Sequence, residues 1–147
     1  MSTFTPDATG ATAEQINLIE HLFYNGFSGG NLDVIEEVFH PDIEFDSPGL
    51  PAGLEGIKKI VTLNNTAMSE WRFTIEDLFG HENKVVVRWS AKGVHTGSFM
   101  DEAPTGKPVS LTGQSIIKIE QGQITADWMV ADMMSFLSQL GIVQPPG

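Results

Sequence analysis

Cysteine is absent from the chain, and with it go disulfides, thiolate catalysis and cysteine-ligated metals. Positive charge is scarce: 8 Lys and Arg stand against 19 Asp and Glu, a formal net charge of −11 at pH 7. No Lys/Arg run occurs, so a phosphate backbone, which is held by clustered cations, is not an expected partner. The acidity reads instead as a solubility device. No apolar run approaches the roughly 18 residues that a bilayer span requires. The opening MSTFTPDATG lacks the basic start and apolar core of a secretory signal. A soluble, cytoplasmic protein without a membrane partner is expected.

Chemical signatures are equally sparse. The chain has neither Gly-x-Gly-x-x-Gly nor a phosphate loop, and no Gly-x-Ser-x-Gly. Pro104-Thr-Gly-Lys107 contains Gly and Lys but precedes a strand, so the anion-binding dipole of a helix start is missing. His21, His40, His81 and His95 have no metal-ligand spacing. Neither a metal nor a cofactor is expected.

What is present reads as one domain over residues 1–147, large enough to bury roughly 68–70% of its unfolded surface. Residues 1–11 and 142–147, rich in Pro, Gly, Ser and Thr, are expected as flexible arms. Thr12-Ala-Glu-Gln15 has the form of a capping box, followed by Ile16, Ile19, Phe23 and Phe27 at helical spacing. Asn31 can cap a second helix with Leu32, Ile35, Val38 and Phe39 inward, stopped by His40-Pro41. Asp42 to Ser47 alternates as a short strand, with Ile43 and Phe45 on one face. A third helix carries Leu54, Ile57, Ile60, Val61 and Met68.

From Trp71 the period becomes two. Phe73, Ile75 and Asp77 alternate with Thr74, Glu76 and Leu78, and a turn at Glu82-Asn83-Lys84 leads to a strand over Val85–Phe99. Turns at Pro104-Thr-Gly106 and Gln121-Gly122 mark two further strands, and a last helix runs from about Asp132 to Gly141. Helices first and an antiparallel sheet after is the order of an α+β domain. Four long twisted strands curl, and three amphipathic helices cover only part of the concave face. The remainder is expected to be a hollow lined by strand side chains, the usual form of a small-molecule site.

The motifs of the second half go further. Arg88-Trp89, Gly93-x-His95-Thr-Gly97-x-Phe99, Pro104-Thr-Gly-Lys107, Gly122-x-Ile124, Trp128-x-x-x-Asp132 and Gln139-Leu-Gly141 together resemble the SnoaL-like polyketide (ester) cyclases. The resemblance extends from Phe39-His-Pro-Asp42 to Gln139-Leu-Gly141. It implies a cone-shaped α+β barrel of the nuclear-transport-factor-like kind, three N-terminal helices on a strongly curved, mostly antiparallel sheet. It also implies a hydrophobic ligand and, in the pathway cyclases, intramolecular aldol closure without metal or cofactor. In those cyclases the acid/base is an Asp on the last strand, and an ungapped match puts Met129 at that position. A thioether moves no proton at neutral pH.

Asp127 stands two residues earlier, about 7 Å along the strand from Met129. It is therefore the expected acid/base, since burial in an apolar cone raises a carboxyl pKa. A second placement is open, with Thr125, Asp127 and Met129 on the solvent face and Ile124, Trp128 and Val130 in the core. His95, between two glycines, is either a hydrogen-bonded core residue or a second proton-transfer group. Arg88 is expected either to pair with a buried carboxylate or to meet a substrate anion. Ser115, Tyr24, Phe45, Met129 and Trp128 are expected to line the pocket, Trp128 as a flat wall or as a core or dimer residue. Asp132 either caps the closing helix or reaches the substrate.

The function so indicated is a cofactor-independent lyase or isomerase acting on a hydrophobic carbonyl compound by enolisation. The alternatives are a binder of small hydrophobic ligands, a related hydratase or epoxide hydrolase, and a structural role with a self-filled cone. A homodimer is expected through the convex face of the sheet, with Trp89 contributing.

Overall fold

The expected N-terminal arm is partly built into the fold. In the computed structural model, which describes residues 2–144, Pro6–Thr9 form a short helix, α1, capped by the Thr5 hydroxyl. Ala11 is buried and meets the backbone of Gly80 at the far side of the sheet. At the other end Ile142 packs on the core; residues 145–147 of the expected arm lie outside the described residues.

Thr12 opens the main helix. Its hydroxyl accepts from the Gln15 N–H at 3.1 Å, and the Gln15 side-chain oxygen accepts from the Thr12 N–H at 2.9 Å. Gln15 also donates from Nε2 to the Glu82 carbonyl at 2.8 Å, joining this helix start to a turn 67 residues on. Helix α2 spans Ala13–His21 and passes into a wider π turn, Leu22–Phe27, which the heptad-like spacing of Ile16, Ile19, Phe23 and Phe27 does not announce. Ser28 closes that turn: its N–H and hydroxyl both donate to the Phe23 carbonyl, and its hydroxyl accepts from the Phe73 N–H.

Asn31 caps helix α3, Leu32–Val38, through the Asp33 N–H. Strand β1 follows at once as Phe39–Glu44, earlier than the expected Asp42–Ser47 and including His40-Pro41. Pro41 is tolerated because β1 is an edge strand, where a missing N–H breaks no ladder on the open side. Helix α4, Leu54–Ala67, leads straight into β2, Met68–His81. Strands β3 (Lys84–His95), β4 (Pro108–Glu120) and β5 (Gln123–Ala131) follow, and α5 (Met133–Gln139) closes the fold.

The sheet order is β1-β5-β4-β3-β2, antiparallel throughout except for the parallel β1–β5 pair. This is the α+β cone that the sequence led us to expect, a curved and unclosed five-stranded sheet with its helices on the inner side. The register shifts between Ile75 and Asp77, a bulge opposite Trp89 and Arg88. It turns Asp77 outward and Leu78 inward, the reverse of simple alternation. The displaced Ile75 N–H is satisfied by the Tyr24 hydroxyl at 3.2 Å.

Val85, Val87, Trp89 and Ala91 of β3 all face inward and are buried, so Trp89 is an interior residue and not part of a convex interface. Phe23, Phe27, Phe73 and Trp89 form an aromatic cluster with ring centroids 5.1–6.5 Å apart. Beyond the end of β5, the N–H and carbonyl of Ser110 on β4 are free for another partner. The Gln139 side-chain amide takes both, at 2.8 and 3.0 Å, and pins α5 to the sheet. Among the described residues no helix is long and apolar enough to cross a membrane.

Candidate functional site

The site is built where β4 and β5 cross the inner face. Pairing sets Asp127 opposite Ile117, Ser115 opposite Met129, and Gly113 opposite Ala131, so all six point to one side. Of the two placements open for Asp127, the structure takes the inner one. Asp127 is 8% exposed, no side-chain hydrogen bond reaches it among the described residues, and its Oδ1 is buried without a partner. Burial alone raises its pKa from 3.8 to about 7, because nothing nearby stabilises the charged form. An ionisable group poised in this way is suited to taking and returning a proton.

Ser115 is a diagonal neighbour of Asp127 on the same face, with Cβ atoms roughly 7–8 Å apart or somewhat less. Its Oγ accepts from the Trp89 indole N–H at 3.2 Å, which leaves its own hydrogen to donate elsewhere. Met129 shares this face yet is 40% exposed. Met129 is thus a point where the inner face of the sheet reaches solvent.

His95 is buried too, but not here. Val85 is in register with Ile117 and hence with Asp127, and His95 lies ten residues further along β3, about 33 Å along the strand. Asp127 and His95, expected as two proton-transfer groups, are thus not brought together. Thr105 holds the ring: its N–H donates to Nδ1 at 3.2 Å and its hydroxyl lies 3.1 Å from the same nitrogen. A neutral ring accepting there carries its hydrogen on Nε2, which is buried and has no partner among the described residues.

Two other expectations are corrected. Arg88 is exposed on the convex face, because it has the opposite parity to the inward Val87 and Trp89. It needs no buried carboxylate and cannot meet a guest inside the cone. Trp128 pairs with Ile116 and stands outside at 43% exposure, so it is no pocket wall. Tyr24 is half exposed, and its hydroxyl accepts from the Ile75 N–H at the bulge of β2, which leaves its own hydrogen to donate.

Phe45 is buried just beyond β1, with its ring against Gly56 of α4. Asp132 caps α5, accepting from the Ser135 N–H at 3.1 Å. The inward residues that the sequence left unmarked are Gly113 and Trp89. The parity of the Val85-Val87-Trp89 triad was the available signal for the second. Among the described residues no group of three His, Asp or Glu is placed to hold a metal ion. An open groove of about 510 Å³ at Glu70, Arg72, Lys92, Gly93 and Val94 lies at the other end of the strands and touches none of these groups.

The model of the SnoaL-like polyketide cyclases matches residues 18–140. The chain belongs to that family. Among solved structures, TsrD from Streptomyces laurentii superposes with a TM-score of 0.81 at 22% identity, covering 90% of this chain and 98% of that one. AclR, a candidate hydroxylase from Streptomyces galilaeus, gives 0.82 at 22%, with 93% and 91% covered. IdmH, a candidate polyketide cyclase from Streptomyces antibioticus, gives 0.72 at 26%, with 86% and 97% covered. No curated protein matches the chain. Similarly folded cones thus include a candidate cyclase and a candidate hydroxylase, and the shape alone selects no reaction.

Proposed function

We propose that the protein is a cofactor-independent, cyclase-type acid/base enzyme that enolises a hydrophobic carbonyl compound, with Asp127 as the proton carrier. The observation that carries this reading is the Asp127 carboxyl, buried, unpaired and shifted to about 7 by burial. The ionised carboxylate takes a proton from a carbon beside a carbonyl, and the C–H electron pair moves into the enolate. The enolate carbon bonds to a second carbonyl of the same molecule, and the alkoxide so formed recovers the proton from Asp127. The Ser115 hydroxyl, free to donate, steadies the developing oxyanion. The balance closes without an electron carrier.

Exchange of the acidic hydrogens of an aromatic β-diketone in heavy water, followed by NMR, tests the reading. Wild type is expected to speed exchange, with a rate rising through about pH 7, and Asp127→Asn to abolish it. Tight binding with no exchange, unchanged in Asp127→Asn, would instead identify a ligand carrier. Met129 supports that second reading, since it stands where the family resemblance places the acid.

We further place the protein in the cytoplasm as a homodimer. Phe79, Val86, Ile116 and Trp128 are consecutive register partners across four strands, a row of half-buried to exposed apolar side chains on the convex face. A two-fold axis would lay this row on its own copy and cover it.

A further inference from the structure

We propose that the open groove where β2 begins and β3 ends is a second binding site, which takes the carboxylate or phosphate of a small molecule between Arg72 and Lys92. The site is independent of the assignment of Asp127. Lys92 stands seven residues along β3 from Val85, the register partner of Ile117, and so about 23 Å along the strand from the level of Asp127. Its parity is outward, opposite to the buried Ala91 and His95. It is also six residues, about 20 Å, beyond Val86 of the convex apolar row.

An irregularity of the sheet makes the groove. The register jumps between Ser69, opposite Val94, and Arg72, opposite Lys92, so that Glu70 and Trp71 of β2 face the single Gly93 of β3. Glu70 takes a left-handed conformation, φ 53°, and Trp71 turns inward and is buried. Bulges of this kind bend the strand and re-aim the side chains beside them. The result is a depression of about 510 Å³ bordered by Glu70, Arg72, Lys92, Gly93 and Val94, to which Gly93 offers main chain alone. That volume is in the range of small-molecule sites.

Arg72 and Lys92 are direct cross-strand partners, and like charges so placed repel. With 19 carboxylates against 8 Lys and Arg, the chain could readily supply a neutralising group. A second such pair, Lys84 opposite Lys118, has one: Lys118 Nζ lies 3.4 Å from the Glu120 carboxylate. Among the described residues neither Arg72 nor Lys92 makes an ion pair, although Glu70 borders the same groove. The Arg72 guanidinium is nonetheless held. Its Nη1 donates to the Trp71 carbonyl at 3.2 Å, an oxygen that also accepts from the Gly29 N–H. One of its five N–H groups is used and four remain. A guanidinium fork held beside an ammonium is the donor set that a two-oxygen anionic group fills. Glu70 leaves the groove with one net positive charge, which suits a single anionic group and not a polyanion.

Backbone-amide NMR of the isotopically labelled protein, titrated with inorganic phosphate and separately with benzoate at fixed ionic strength, tests the proposal. The amides of Arg72, Gly93 and Val94 are expected to shift saturably, with a Kd on the order of 1 mM for at least one of the two anions. Tighter binding of phosphate assigns the site to phosphate esters, and tighter binding of benzoate assigns it to carboxylates. Arg72→Gln and Lys92→Gln should each weaken binding about fivefold, the upper end for an exposed charge contact. Glu70→Gln should tighten it about twofold, a gain that no loss of folding could imitate. Lys84→Gln should leave it unchanged. Shifts that rise linearly with both anions, or a loss in Lys84→Gln equal to that in Lys92→Gln, would reduce the groove to diffuse attraction of ions and overturn the site.

Discussion

Asp127 and His95 occupy one inner face, but ten residues of β3 register separate them and neither reaches the other. The carboxyl has no partner that a histidine mutation would remove. His95→Gln should therefore leave the pH–rate profile in place while costing stability, because Thr105 loses the acceptor of its N–H. The loss of one buried hydrogen bond sets the scale at about 1–3 kcal/mol. Chemical denaturation and a pH series on the same variant check both halves.

Asp127 also links folding to pH. Unfolded, its carboxyl releases the proton near 3.8; folded, it does so near 7. Between those values the unfolded chain binds fewer protons, so stability is greatest below about pH 4 and declines as pH rises to about 7. At 1.36 kcal/mol per pH unit the interval amounts to about 4 kcal/mol. Urea unfolding at about pH 4 and about pH 8 should reveal this decline in wild type and its loss in Asp127→Asn.

Gly113→Ala should be poorly tolerated. The added methyl meets the rigid indole of Trp89, which is held by Ser115 and two phenylalanines and has nowhere to retreat. Overpacking of this sort costs about 1–3 kcal/mol, and a fall in melting temperature of several degrees is the expected reading.

Outward-facing residues give the contrasting result. Arg88→Ala is expected to leave exchange of the diketone hydrogens intact, since Arg88 is exposed on the convex side. Trp128→Glu puts a charge in the middle of the apolar row and should shift sedimentation from dimer to monomer without altering the Asp127 chemistry.

Removing the Gln139 side chain strips two backbone partners from Ser110 at once. Gln139→Ala should loosen α5 and speed amide exchange at Ser110, at a cost of about 1–3 kcal/mol.

Much of this architecture is legible in the chain. The capping box, the Asn31 cap, the turns at Gln121-Gly122 and Glu82-Asn83, and the order of helices before strands all follow from local chemistry. The site was half legible. Asp127 could be named from its place two residues before Met129 on the same side of the strand, but the choice between inner and outer face depends on pairing with Ile117, which is non-local. Arg88 was misplaced as an interior residue although Val85, Val87 and Trp89 already mark the inward parity of β3. The bulge after Ile75 and the parallel β1–β5 pairing leave no comparable local sign, since both arise from contacts between distant strands. The separation of His95 from Asp127 is of the same kind, because strand length and register fix it.

Gln15 spans two structural episodes that are 67 residues apart in the chain, with one end of its amide on the helix start and the other on the Glu82 carbonyl. Neither the first helical turn nor the β2–β3 hairpin loop can come undone without exposing an amide dipole of the other. Native-state deuterium uptake should therefore find the two segments opening together, as a single cooperative unit rather than as independently fraying ends.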